Sequence, residues 1–179
     1  MSNMLAQAPD NNQGPWAALE GYLRTLTDAG NELYIVSGPA GVGGTGTAGF
    51  ATSIVGGRVE VPASTWKVVM ILPAGENDLS RVTAATQTFA VNMPNTQGIR
   101  NNDWHIYKTT VRNIETLTNL NFFSNVPGAV QNSIENGIHD GNPVNDLPNP
   151  PGTGDQSVQA IGWKRRYQFS KSVAEELSL

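Results

Sequence analysis

Glycine and proline interrupt this chain so often that long regular elements have little room in it. The 179 residues hold 19 glycines and 11 prolines, and each favours a turn or ends a helix or a strand ladder. Short elements joined by many turns are the consequence. Charged residues make up 15%, below the usual quarter, which argues against coiled coils and long solvated helices. Polarity comes instead from uncharged groups, 18 asparagines among them. Hydrophobic residues at 39% are enough for a core, so wholesale disorder is excluded. The length fits one domain and a tail, or at most two small domains.

The formal net charge of −4 excludes a strongly basic nucleic-acid coat. It leaves room for an enzyme that attacks nucleic acid through a local cationic site, because turnover does not need a tight general grip. The absence of cysteine removes disulfides, thiolate zinc sites and cysteine nucleophiles. No apolar run reaches the length of a membrane span, so no membrane partner is expected. Residues Met1 to Pro9 lack the basic start and apolar stretch of a signal peptide. The expectation is a protein that stays where it is made, or a chain without its natural beginning.

Trp16, Leu19, Leu23 and Leu26 recur at helical spacing, with Tyr22 widening the apolar face. Asp10 and Gln13 have the spacing of a capping box, Pro15 predicts a kink or a start near Gly14, and Ala29-Gly30 supplies a stop. Leu33 to Val36 reads as a buried strand closed by Ser37-Gly38-Pro39. After a glycine-rich loop over 38–46, strands are predicted at Phe50–Val55 and Arg58–Val61 around a Gly56-Gly57 turn, then at Trp66–Leu72 and Thr88–Met93. Val111, Ile114 and Leu117 trace a short helix between Thr110 and Leu120, and Phe122-Phe123 is expected to plug the core. This interleaving predicts a mixed α+β class.

From Gly141 the composition changes to that of a linker, NPVNDLPNPPGTGD. The division expected is a domain over 1–140, a linker over 141–157 and a basic, aromatic tail over 158–179. That tail carries Trp163, Lys164, Arg165, Arg166 and Tyr167. A last helix capped by Ser172 with Glu175 is predicted there. The cluster suits either phosphate and base contact or docking of an amphipathic segment.

Two motifs mislead. Gly41-Val42-Gly43-Gly44-Thr45-Gly46 matches GxGxxG, but a dinucleotide site also needs a helix to open there. Thr47 to Thr52 shows no helical spacing, and no Lys-Ser/Thr pair makes a P-loop. A plain connection between strands is expected. His105 and His139, the only histidines, have no metal-ligand spacing or serine elbow, and both are read as structural or surface groups.

The chemistry-bearing pattern lies on the first helix and its approach. Asn12 and Glu20 are eight residues apart, about 80° around a helix and two turns along it. Glu20 and Arg24 are neighbours at i and i+4. One edge thus offers a neutral oxygen, a carboxylate and a guanidinium. By spacing alone, a surface ion pair and a cap explain the same residues.

The order of motifs along the chain says more. Ser2-Asn3-Met4, then Gln7-Ala8-Pro9-Asp10-Asn11-Asn12-Gln13-Gly14-Pro15-Trp16, Leu19-Glu20 and Arg24 closely resemble the sugar-non-specific DNA/RNA endonucleases of the ββα-metal (His-Me finger) class. The resemblance continues through Glu32 to Pro39, Val61 to Val69, Ala90 to Asn95, Asn102-Asp103-Trp104, Tyr107, Ile114-Glu115 and Leu117-Thr118. It covers about residues 1 to 138 in order. It implies a mainly antiparallel sheet carrying a metal-binding helix, and sequence-independent hydrolysis of phosphodiester bonds in DNA and RNA. It also implies a Mg²⁺ ion, with Mn²⁺ as an alternative, held through Asn12 and otherwise by water, which suits a hard cation that keeps its hydration. Glu20 matches the glutamate that orients metal-bound water, Arg24 the arginine that holds phosphate, and Asn3 an asparagine that supports the site's hydrogen bonding. An inhibitor protein is an implied partner, and secretion or a periplasmic location the implied setting.

Ala6 and Pro15 depart locally from the pattern. The larger departure concerns the family's catalytic histidine, which lies upstream in an Asp-Arg-Gly-His motif without counterpart in this sequence; His105 cannot stand in for it. The expectation is the N-terminally truncated, C-terminal part of a nuclease, inactive alone and completed by an upstream segment or a second chain. Two other readings stay open: a non-catalytic module binding nucleic acid or protein on the same fold, and a structural β-rich extracellular domain.

Overall fold

The computed structural model describes residues 5–138. The chain enters through one helical turn (α1, Pro9–Asn11) and a π-helical turn at Asn12–Trp16, then runs on as α2 (Ala17–Asp28). Gly14 departs from helical geometry at φ −106° and ψ −114°, the break that Pro15 foretells. α2 is capped at Ala29, with Gly30 following at φ +89°. The capping box does not form. Asp10 instead accepts from the Gly98 amide at 2.8 Å and from Arg100 Nε at 2.9 Å, because the 96–103 segment folds back against the lead-in.

A long strand follows (β1, Asn31–Ala40), then two small hairpin pairs, β2 (Gly44–Gly46) with β3 (Gly49–Ala51) and β4 (Ser53–Ile54) with β5 (Val59–Glu60). The single strand expected over Phe50–Val55 is thus divided between two hairpins. Gly56 and Gly57 turn the second at φ +65° and +84°. The GxGxxG stretch lies in a loop and the first hairpin, and no helix opens after it.

β6 (Ser64–Pro73) pairs antiparallel with β1 on one side and with β7 (Gln87–Pro94) on the other; α3 (Asp78–Arg81) lies between β6 and β7. After a 3₁₀ turn at Trp104–Tyr107 comes β8 (Lys108–Thr109), which completes the order β1-β6-β7-β8. The class is mixed α+β on an antiparallel sheet, as expected.

Helices α4 (Val111–Thr118) and α5 (Gly128–Asn136) cover one face of this sheet, and α2 covers the other. Leu19, Tyr22 and Leu23 of α2 pack on Val69, Ile71, Phe89, Val91 and Met93, with Trp104 closing the cluster. On the opposite face Trp66 and Val68 meet Val111, Ile114 and Phe122, while Met70 and Leu72 meet Val126 and Ile134. β6 therefore reads as a near-continuous apolar run, since both of its faces are covered. Each such side chain contributes roughly 1.5–3 kcal/mol by leaving water.

β1 corrects the expectation of a buried strand closed at Ser37. It is an edge strand, half-exposed over most of its length, and it continues to Ala40. Gly38 lies against the Trp66 ring, where a Cβ would come within 2.6 Å, and the Pro39 carbonyl accepts from Trp66 Nε1 at 2.9 Å. Helices α3 and α5 escaped the sequence reading. α5 offers only Val130 and Ile134 as large apolar residues, too few for a periodicity signal. The linker, the tail, His139 and Asn3 lie outside the described residues.

Candidate active site

The lead-in to α2 is fixed by side chains far away in sequence. Asn95, 2% exposed, accepts from the Ala8 amide at 2.6 Å and donates to the carbonyls of Ala6 and Pro62. Gln97 Oε1 accepts from the Asp10 amide at 3.1 Å. At Gly14 the chain passes so close to Arg100 that a Cβ would fall 2.5 Å from its carbonyl oxygen. These ties set the angle at which α2 leaves the kink.

Within that frame the two successive asparagines separate. Asn11 is fully buried and donates through Nδ2 to Thr65 Oγ1 of β6 at 3.0 Å. Asn12, one residue on, is exposed. A helical turn pinned by Asn11 therefore presents Asn12 to solvent. Further along, Glu20 is half-exposed and Arg24 exposed, on the flank of α2 beside its core residues Leu19, Tyr22 and Leu23.

Under this flank lies Lys67, a residue the sequence reading passed over. It stands in β6 between Ser37 and Val91 of the neighbouring strands. The ammonium reaches Glu20 Oε1 at 3.4 Å and lies 4.2 Å from the centre of the Trp16 ring. Burial pushes its pKa down, the Glu20 carboxylate pushes back up, and the Arg24 guanidinium adds a smaller push down. Glu20, Arg24 and Lys67 thus share one electrostatic neighbourhood. A lysine inside an otherwise apolar strand was the available signal. It was masked by the run Val68 to Leu72 that marks the strand itself.

The family model for DNA/RNA non-specific endonucleases matches residues 1–129. The chain belongs to that family. It is 44% identical over 138 residues to a nuclease of Nostoc sp., covering 77% of this chain and 47% of the relative. Over 127 residues it is 29% identical to the mitochondrial nuclease EXOG of Homo sapiens, covering 69% of this chain and 33% of that one. Among solved structures it resembles a crystal structure of an EndoG/EndoGI complex with a TM-score of 0.52 at 24% identity, covering 70% of this chain and 50% of that one. This last likeness supports the fold. The chain spans about half the length of the Nostoc relative, or less than half by the 47% covered.

Of the four site residues expected from the sequence, Asn12, Glu20 and Arg24 occupy one helical stretch; Asn3 is outside the described residues. Among the described residues no group of three or more His, Cys, Asp or Glu is placed to hold a metal ion, which leaves a sparser donor set to consider among them. An exposed carboxamide oxygen suits that, since a hard cation retaining most of its water needs few protein ligands. His105 is tied up in structure. Its Nδ1 meets Asp103 Oδ1 at 2.5 Å and its ring stacks on Trp104 at 3.8 Å.

Proposed function

We propose that this chain carries the phosphate- and metal-binding part of a sequence-independent endonuclease acting on DNA and RNA. The observation that carries the reading is the split between Asn11 and Asn12, in which a buried anchor presents an exposed carboxamide on the helical stretch that leads to Glu20 and Arg24. Asn12 would hold Mg²⁺, or Mn²⁺ in its place, through its amide oxygen. When bound, the ion supplies positive charge to offset the negative charge growing on the phosphate and the departing 3′ oxygen. Glu20 accepts a hydrogen bond from water and so orients it. Arg24 donates to the phosphate oxygens. Because phosphate is common to both polymers, base sequence and sugar are read little.

No Asp-Arg-Gly-His occurs in the sequence, so the general base is proposed to come from a segment or chain outside it. The chain alone is therefore read as inactive. An inhibitor protein is a fitting partner, given that the similar EndoG structure is of EndoG in complex with EndoGI, bearing on the mechanism of EndoG inhibition. A secreted or periplasmic setting accompanies this proposal.

The test is plasmid nicking with Mg²⁺, by the purified chain and by the same chain joined to an upstream segment bearing the histidine motif. The joined protein should cleave DNA and RNA, and the chain alone should be slower by about 10²–10⁴-fold, the usual worth of a general base. Failure of the joined protein to cleave either polymer would overturn the reading.

A further inference from the structure

Lys67 is buried at 4% exposure, in the middle of the sheet's most apolar strand. A side chain needed there only for packing would be apolar, because a buried ammonium costs several kcal/mol unless paired. This one is paired with Glu20 Oε1 at 3.4 Å and sits against the face of Trp16. The asymmetry of the pair matters. Glu20's side chain is 42% exposed and Lys67's 6%. A half-exposed glutamate on a helix ordinarily spreads over several rotamers, and fixing it costs entropy. Lys67 has little freedom to lose, since its strand is laddered on both sides and its stem lies beneath α2. The rigid partner is the cation, and the restrained partner is the carboxylate.

We infer that Lys67 is a positioning residue that tethers the Glu20 carboxylate to the sheet, so that its free oxygen keeps one direction relative to Asn12 and Arg24. The inference rests on Glu20 being the site's carboxylate. It adds that the helix alone does not aim this residue, and that the buried cation keeps it turned toward β6. Catalytic groups are useful only when held near productive geometry by locked neighbours.

The tether can be read without any activity. In the full chain, three-bond couplings of the Glu20 side chain should report one dominant rotamer. Lys67→Met, which keeps the stem and removes the charge, should give averaged couplings, and Lys67→Arg should restore the single rotamer. As a second arm, the Lys67 ammonium is followed by NMR in Glu20→Gln, which keeps the size of a half-exposed side chain and leaves the Trp16 ring against the cation. Its titration midpoint should fall, because the carboxylate that pushes it up is gone. Averaged couplings in the native chain, a single rotamer surviving in Lys67→Met, or a midpoint unmoved by Glu20→Gln would each overturn the inference. Should Lys67→Met fail to fold, the native couplings and the Glu20→Gln arm still decide. In the joined protein, Lys67→Met should lower kcat by roughly 10–100-fold with KM nearly unchanged, the scale seen when a supporting neighbour is lost. A joined protein without activity but with these couplings intact would defeat the nuclease reading and leave the tether standing. Full activity in Lys67→Met would do the reverse.

Discussion

Asn11 and Asn12 differ by one position and by almost everything else. Asn11 is sealed against Thr65, so Asn11→Ala should lower stability by about 1 kcal/mol, the net worth of one hydrogen bond, because Gln7 Nε2 still donates to the Thr65 hydroxyl at 3.4 Å. Asn12→Ala removes only an exposed amide. It should leave the denaturation midpoint nearly unchanged while removing most Mg²⁺-dependent cleavage in the joined protein. Equal loss of stability in both variants would mean that the two residues have not been separated correctly. Arg24→Ala should lower cleavage of DNA and RNA alike, and sparing of one polymer would contradict phosphate-directed binding. Gly14 belongs at this scale too. Its Cβ would meet backbone at 2.5 Å, which no rotamer change relieves, so Gly14→Ala should destabilise by about 1–3 kcal/mol as an overpacked contact. Thermal denaturation would check it.

Among the elements, α4 and α5 are held together by charge as well as by apolar contact. Arg112 donates to Glu115 and to Glu135, both at 2.6 Å, and these carboxylates are 6% and 0% exposed. Gln131 adds a hydrogen bond to Glu135 at 3.0 Å. Arg112→Ala would strand two buried carboxylates and should cost about 3 kcal/mol, near the low end for a broken buried pair because the arginine is half-exposed. Burial raises the Glu135 pKa above its ordinary 4.5. The folded state then binds that proton more tightly than the unfolded one, so this contribution to stability grows as pH falls from neutral through the raised value. Asp10, held low by the Gly98 amide and Arg100, works in the opposite direction. Its contribution is present above 3.8 and is lost as pH falls through its lowered value. Stability should therefore peak on the acid side of neutrality, and Glu135→Gln should flatten the rise; urea midpoints across a pH series would show either. The long core elements were legible because β6, β7 and α2 carry dense apolar patterns. α5 was not, for its burial rests on Ile134 and on a glutamate that sequence reads as surface. β1's full length was hidden by Ser37-Gly38-Pro39, whose strand geometry depends on the Trp66 ring facing Gly38. At the site, Asn12, Glu20 and Arg24 came from ordered motifs. Lys67, Thr65 and Asn95 act through contacts across 47 to 89 positions that no local pattern records.

For the whole molecule, the three core clusters are built from described residues, among which the last element ends at Asn136. The family match ends earlier still, at residue 129. The residues from 142 onward should thus be dispensable both for folding and for chemistry. A chain cut after Gly141 keeps every buried side chain named above, so its urea midpoint should equal that of the full chain. The removed tail holds Lys164, Arg165, Arg166 and Lys171 against Glu175 and Glu176. Any nucleic-acid affinity that it adds is electrostatic and must weaken as salt displaces the protein from phosphate. In the joined protein, the truncation should then slow cleavage at low salt more than at moderate salt, where the tail's attraction is screened. Activity that collapses at both salt levels, with the urea midpoint unchanged, would place part of the site in the tail and move the domain boundary beyond Gly141.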